Sequence, residues 1–251
     1  MYGVTTDKRR LENAMSVLDY IYKQIPNTKG CMENINKPEA EGGCGAWCCQ
    51  VQNPSVLYVE FLNSWREVTS NWSDERMGNL IRACLRNYLF DKPSKGCVFF
   101  DHESKMCSQH ETRPYNCRIY GITPEEEFKP RYERLRVLNN EVRDQCHLVE
   151  TENGEPVTTK DTNSWWNQVK QQEKAIGIKE ELITDEPEGS YRTYHDHILI
   201  HLFGIEHLEK LTAARMYLED EDKESLIENM MTAYEKVVES ARNAAIESED
   251  T

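Results

Sequence analysis

The segment GGCGAWCC, residues 42–49, places three cysteines and three glycines within eight positions. Glycine has no Cβ, so its backbone can turn tightly and approach a bound group closely. Cysteine thiolates are ligands for zinc and for the iron of iron–sulfur clusters. The segment therefore predicts an irregular loop that wraps around a metal centre.

Five more loop cysteines extend this pattern along the chain. One lies upstream in the glycine-containing stretch 27–53, three lie in a second irregular stretch, 92–123, and one follows a predicted helix. A zinc ion or a four-iron cluster usually takes four protein ligands, so eight cysteines fit two centres, or one centre with spare thiols. The predicted metal ligands are Cys31, Cys44, Cys48, Cys49, Cys97, Cys107, Cys117 and Cys146.

The cysteines also bear on the cellular compartment. The N-terminus carries no apolar run typical of a signal peptide, and no stretch approaches the roughly 18 apolar residues of a membrane span, so we expect a cytoplasmic protein. Disulfides rarely persist in a reducing cytosol, where clustered cysteines more often bind metal. Ordinary buried thiols are the alternative, which we prefer only for Cys84, because it shares a predicted apolar helix stripe with Leu80, Ile81 and Tyr88.

The charge of the chain restricts its partners. The net charge is -14, and an acidic surface repels phosphate backbones and anionic lipid headgroups. Nucleic acid and bare membrane are therefore poor partners, and a basic protein or a redox partner is a better expectation. Residues 219–250 hold eleven acids and three bases, which favours a solvated helix face, with a docking surface for a basic partner as the alternative.

Hydrophobic periodicity predicts a mainly α-helical fold with long irregular metal-binding loops and little or no sheet. Two domains are expected: residues 1–150, a cysteine-cluster metal-binding domain with an N-terminal helix, and residues 151–251, an acidic helical region packed on it. A turn at Asn153-Gly154 and Pro156 separates them. Helices are predicted at 7–25, 55–68, 73–89 and 131–142, and from about 163 onward, with long apolar stripes at 191–218 and 223–245.

Four elements together carry a resemblance to a known family: residues 44–49, CGAWCC; residues 96–100, GCVFF; Cys107; and residues 113–120, RPYNCRIY. They resemble the CxxCxxCC cysteine-cluster family, also labelled YkgJ-like, which is described as a zinc- or iron-chelating domain. The resemblance covers about residues 31–146, and Cys146 fits the last family cysteine. The chain departs from the family pattern in two places. Cys31 lies thirteen positions before Cys44 instead of a few, and Gln109-His110 stands where the family tends to have Ile-Tyr.

Two arginines in this motif are candidate cofactor-binding residues. Arg113 and Arg118 flank Cys117, and guanidinium groups neutralise the negative charge of a thiolate-rich centre while donating hydrogen bonds. The alternative is that they pair with a local carboxylate such as Glu111. His110 is either a replacement ligand or, as we prefer, a polar loop residue.

A second histidine group lies at 195, 197 and 201, with His207 further on. His197 and His201 are four residues apart on one helix face, which is a spacing of helical metal pairs. The Glu of a metalloprotease motif is missing, because Ile198 follows His197. Packed or solvated histidines are therefore the preferred interpretation. Phosphate-loop, dinucleotide-binding and nucleophile-elbow motifs are absent from the sequence, and no catalytic residue is indicated.

Three functions remain open from the sequence. The first is an iron–sulfur protein, with a 4Fe-4S cluster favoured, that transfers electrons or supports maturation of another enzyme. The second is a zinc protein in which the metal staples the loops and the helical part recruits a partner. The third is a modifying enzyme, which is considered because the family also resembles the cysteine cluster of flagellin lysine methylases. It is the least favoured of the three.

Overall fold

The computed structural model describes residues 3–27, 49–50, 53–90, 96–103, 106–138, 151, 153–186 and 188–249. Over these ranges the helices are α1 (Lys8–Gln24), α2 (Tyr58–Asn71), α3 (Asp74–Leu89), α4 (Tyr115–Ile119), α5 (Glu125–Leu138), α6 (Thr159–Ala175), α7 (Tyr194–Phe203), α8 (Ile205–Tyr217) and α9 (Asp220–Glu249), with a 3₁₀ turn at Glu180–Leu182. The strands are β1 (Ser55–Val56), β2 (Phe100–Asp101), β3 (Met106–Cys107) and β4 (Arg192–Thr193). The predicted helical fold class is confirmed.

Helix α1 follows the sequence prediction closely. The Asp7 side chain accepts hydrogen bonds from the backbone N–H groups of Arg9 and Arg10, which caps the first turn. The helix ends at Gln24 because Ile25 is extended, and the residue before a proline is disfavoured in helical geometry. Its buried stripe packs against α6 and α2. The stripe consists of Ala14, Met15, Leu18, Ile21 and Tyr22.

Helix α2 begins three residues later than the predicted start at 55. Ser55 and Val56 instead form β1, which pairs antiparallel with β4. The buried carboxylate of Glu173 on α6 accepts the backbone N–H groups of Tyr58 at 3.0 Å and Val59 at 2.7 Å. Two elements distant in sequence therefore fix where α2 begins, which local periodicity could not reveal.

Helix α3 lies between α7 and α9. Ser73 caps its first turn by accepting the Arg76 N–H, and Cys84 is fully buried, so the prediction of a core cysteine is confirmed. Helix α9 packs closely on α3 at Gly78, where an added Cβ would lie 3.7 Å from Cε of Met231. Ion pairs Arg82–Glu228 and Arg86–Glu224 border this contact.

The stripe predicted at 191–218 is broken into two helices. Gly204 has φ 86°, a conformation that L side chains rarely adopt, and it separates α7 from α8. The turn predicted near Asn153 is confirmed, because Gly154 has φ 71° and its N–H donates to the carbonyl of Thr151 at 3.0 Å.

One hydrophobic cluster runs through the described structure. It includes Leu18 and Phe61 from the first predicted domain and Val169, Ile198 and Ile227 from the second. The boundary near residue 150 stays a prediction. No helix within the described ranges has both the length and the apolar character needed to cross a bilayer.

Candidate metal centre

The structure describes half of the predicted metal ligands. Cys49, Cys97, Cys107 and Cys117 lie in described segments, and all four are partly buried. Cys31, Cys44, Cys48 and Cys146 lie outside the described residues. Cys107 and Cys117 carry free thiols within the described part of the chain.

The first cysteine segment lies directly against the second. The backbone N–H of Cys97 donates to the carbonyl oxygen of Cys49 at 2.7 Å. A Cβ at Gly96 would lie only 2.5 Å from the carbonyl oxygens of Cys49 and Gln50. Glycine at 96 therefore permits an approach that any side chain would block. Cys49 and Gln50 have helical backbone, a correction to the irregular stretch predicted there.

A small hairpin brings the third cysteine to the second. In β2 and β3, Phe100 pairs with Cys107, and the Ser108 N–H donates to the carbonyl of Phe99 at 2.8 Å. The Phe100 N–H in turn donates to the carbonyl of Cys97 at 3.0 Å. In the described parts of the stretch predicted as irregular, 96–103 and 106–123, cross-strand hydrogen bonds thus form a hairpin that weak local periodicity did not indicate.

Helix α4 positions the fourth described cysteine. Pro114 precedes the helix, and its carbonyl accepts the Cys117 N–H at 3.0 Å. The N–H of Tyr115, in the first turn, donates at 2.7 Å to Oε1 of Glu60, a buried carboxylate on α2. Oε1 also accepts the hydroxyl of Tyr22 at 2.7 Å. Glu60 therefore joins the cysteine-bearing helix to α1 and α2.

Burial keeps the thiols of Cys107 and Cys117 neutral in the absence of a cation. Burial raises the pKa of Cys117 to about 12; Cys107 adds to the shift and Arg113 opposes it. Burial also raises the pKa of Cys107. Two groups oppose this shift: the backbone N–H of Gln109, which hydrogen-bonds to the thiol, and the charge of Arg113. A bound metal ion supplies the positive charge that deprotonates such thiols.

A buried phenol, Tyr194, packs against the segment that follows Cys97. Burial raises the pKa of Tyr194, and the charges of Cys117, Glu60 and Cys97 raise it further. The Tyr194 hydroxyl lies 2.8 Å from Oγ of Ser64 on α2, and its ring meets Phe99 edge-on with centroids 4.8 Å apart. Tyr194 therefore forms an inner wall of the site.

The donor chemistry of the site fits a thiolate-bound metal. Beside the thiols, Nε2 of Gln109 and Nε of Arg113 are buried and lack an acceptor in the described part of the chain. Buried donors are normally hydrogen-bonded, and metal-bound sulfur is an acceptor. Among the described residues, no three His, Cys, Asp or Glu side chains form a coordinating group, so the described thiols alone do not complete a ligand set.

The two candidate arginines differ in their contacts. Arg118 donates from Nε to the carbonyl of Arg113 at 2.8 Å and from Nη2 to the carbonyl of Glu111, and its guanidinium lies 4.3 Å from the ring centroid of Tyr22. It thus braces the loop through backbone carbonyls. Arg113 is the arginine whose charge acts on both Cys107 and Cys117. Contact of either arginine with a cofactor stays a prediction.

The histidines are engaged within the protein, as the preferred interpretation expected. The ring of His195 lies between the amides of Asn53 and Asn87, with nitrogen–nitrogen distances of 2.6 and 3.1 Å. The His197 Nε2 is 3.0 Å from the carbonyl of Val56, and His201 Nδ1 is 2.8 Å from the hydroxyl of Tyr58. His110 is half-buried, 3.7 Å from the carboxylate of Glu111.

Comparison with known proteins gives one match. The family model CxxCxxCC, described as a "Putative zinc- or iron-chelating domain", matches residues 40–136. Residues 40–136 are thus similar to a CxxCxxCC domain. The matched stretch includes six of the eight predicted ligands, whereas Cys31 and Cys146 lie outside its bounds. No curated protein and no solved structure matches the chain.

Sequence reasoning missed three contributors to the CxxCxxCC site: Gln109, Glu60 and Tyr194. Gln109 was noted only as a departure from the family pattern. Glu60 and Tyr194 lie on α2 and α7, and Glu60 is 55 residues from its partner Tyr115 in sequence. An acid within the apolar stripe of α2 was the one available signal, because a carboxylate that is fully buried needs hydrogen-bond partners.

Proposed function

We propose that the chain holds one or two iron–sulfur clusters through its loop cysteines and serves in electron transfer or in the maturation of another enzyme. The observation that supports this most directly is the backbone hydrogen bond between Cys97 and Cys49. A backbone contact between two cysteine segments is the kind of approach that a cluster with cysteine ligands from several segments needs.

The protein's own residues would prepare this site in three ways. The thiols supply soft sulfur ligands. Arg113 supplies positive charge beside Cys107 and Cys117, which offsets the negative charge of a thiolate-rich centre. Tyr194 and Phe99 limit the access of water, since both are buried. A bound cluster would supply one-electron redox chemistry.

Zinc is the second candidate. The family description names zinc beside iron, and thiolate sites accept both metals. In that case the metal would staple the segments around Cys49, Cys97 and Cys117, and the function would be protein interaction, because zinc has no redox chemistry.

The proposal includes a cytoplasmic location, where thiols stay reduced, and a basic protein or redox partner. Support comes from the net charge of -14 and from the acids of the first turn of α9, Asp220, Glu221 and Asp222. Next to them, Met216 and Tyr217 are 68% and 79% exposed. An apolar patch bordered by acids suits a partner with apolar and basic side chains.

Metal analysis tests the central proposal. The full chain would be purified anaerobically, and iron, acid-labile sulfide and zinc would be quantified on the same sample as the visible spectrum. We expect a brown protein that contains iron and sulfide. A colourless protein loaded with zinc would replace the iron–sulfur proposal with the zinc one, and a metal-free protein from metal-replete cells would contradict both.

A rate measurement tests the expected partner. If the cluster is present, a cationic metal complex should oxidise the reduced protein faster than an anionic complex of similar potential. Exposed charges are screened beyond about 10 Å at 0.1 M salt, so the difference should shrink as salt is added. Equal rates at low salt would contradict a charge-steered partner.

A further inference from the structure

Gln109 is an unusual residue to find between two metal-binding cysteines. It is only 3% exposed, although glutamine is mostly found on protein surfaces. Its backbone N–H hydrogen-bonds to the thiol of Cys107, so it lies at the cysteine site itself. Its position is one where the sequence departs from the family pattern, so the family resemblance assigns it no role.

The hydrogen bonds of Gln109 leave one group unaccounted for. Its Oε1 accepts the hydroxyl of Thr112 at 2.8 Å, which fixes the orientation of the amide. Its Nε2 is buried and finds no acceptor within the described ranges. An amide N–H enclosed in this way is normally paired with an acceptor, and at this depth bulk water does not provide one.

A second buried donor on the same loop also lacks a hydrogen-bond acceptor among the described residues. Nε of Arg113 is also buried without an acceptor in the part of the chain that is described. The charge of Arg113 lowers the pKa of both Cys107 and Cys117, and Arg113 lies on the loop that joins these cysteines. Two buried donors on the loop between Cys107 and Cys117 thus lack an acceptor among the described residues, which indicates that an acceptor group belongs there.

We propose that the side-chain amide of Gln109 donates a hydrogen bond to a sulfur atom of the metal centre, a thiolate or a bridging sulfide, and so helps to retain the metal. Arg113 Nε is the second donor of this pair. The proposal rests on the proposed metal-binding function but applies to either metal. Gln109 is thus a positioning residue, which acts through the ligands and does not bind metal directly.

Gln109→Met tests the proposal, because methionine has a similar length and no N–H donor. Metal release from the loaded full-length chain to an excess of a chromogenic chelator would be timed for the wild type and the variant. Partners of this kind typically contribute about 10- to 100-fold to metal affinity, so we expect metal release from Gln109→Met to be at least about 10-fold faster.

Thr112→Val, which frees the amide but keeps its N–H, should give a smaller acceleration. Gln168→Met on α6 serves as the matched control and should release metal at the wild-type rate.

The thermal midpoint of the metal-free forms separates metal retention from a structural role. Gln109→Met should lower this midpoint by no more than Thr112→Val does, because both variants lose the hydrogen bond between Oε1 and Thr112, and Gln109→Met also removes a buried donor that has no acceptor among the described residues. Metal release from Gln109→Met within twofold of the wild-type rate would overturn the proposal. An equal loss of stability of this variant with and without metal would overturn it as well. If Gln109→Met fails to fold, Thr112→Val alone decides, and a wild-type rate for it overturns the proposal. A wild type that holds zinc ends the iron–sulfur proposal but leaves this test intact, whereas a wild type that holds no metal ends both.

Discussion

The carbonyl oxygen of Cys49 and the backbone N–H of Cys97 are joined by a 2.7 Å hydrogen bond, although helices α2 and α3 separate them in sequence. This bond holds the two cysteine segments at backbone contact. Gly96, which comes next to Cys97, makes the contact possible, because a side chain there would collide with main-chain oxygens. The geometry of the metal site therefore depends on a residue that provides no ligand.

Gly96→Ala should disturb the metal site. The new Cβ would lie 2.5 Å from two carbonyl oxygens, and such overpacking typically costs about 1–3 kcal/mol. We expect lower metal content per chain, measured by elemental analysis of the purified protein. Gly78→Ala is the matched control, because its Cβ would meet Met231 Cε at an ordinary 3.7 Å. This control should keep its metal and gain up to about 1 kcal/mol, since glycine is a poor helix former. Equal metal content in both variants would contradict the expectation.

Tyr22→Phe should destabilise the fold by about 1–3 kcal/mol, because the Tyr22 hydroxyl donates to buried Glu60 at 2.7 Å and a hydrogen bond to a carboxylate contributes about that much. Urea unfolding measures the loss. Tyr20→Phe on the same helix is the control and should change little, because Tyr20 is 66% exposed. A similar effect of both substitutions would show that the Glu60 contact contributes nothing specific.

Glu173 should make the free energy of unfolding depend on pH. Burial raises its pKa from 4.5 to about 7, against the opposing backbone hydrogen bonds from Val59 and Tyr58. The folded state thus binds this proton more tightly than the unfolded state. The resulting stabilisation is complete below pH 4.5 and is lost as the pH rises through about 7.

Glu173→Gln keeps a neutral side chain at all pH values and removes this contribution. Urea unfolding of both proteins between about pH 5 and pH 8 should show the wild type losing stability relative to the variant as the pH rises. The metal site contributes equally to both proteins, so it cancels in the difference. Parallel curves would show that Glu173 titrates alike in the folded and unfolded chains.

Removal of the metal should loosen one region selectively. Chelation should accelerate amide hydrogen exchange in residues 96–119, where the described cysteines hold the loops together. The α3–α7–α9 packing should keep its protection, because buried apolar side chains such as Ile81, Ile198 and Ile227 stabilise it. Uniform loss of protection across the chain would instead show that the whole fold depends on the metal.

The sequence by itself determined the helical class and the chemistry of the site. Apolar spacing and capping residues located α1 and α3 to within a residue or two, because these signals act within a few turns of one helix. The clustered cysteines with glycines indicated metal binding, since that chemistry depends on residue types. The sequence also predicted the core position of Cys84, because the residue falls on an apolar helix stripe.

Only the tertiary structure decided where α2 begins, how the cysteine segments meet, and which polar residues support them. The start of α2 is set by pairing of β1 with β4 and by the carboxylate of Glu173, and Glu60 binds the first turn of α4. Each of these contacts joins residues far apart in sequence. Local periodicity carries no information about such pairs, because their free energy exists only when packing brings the partners together and excludes water.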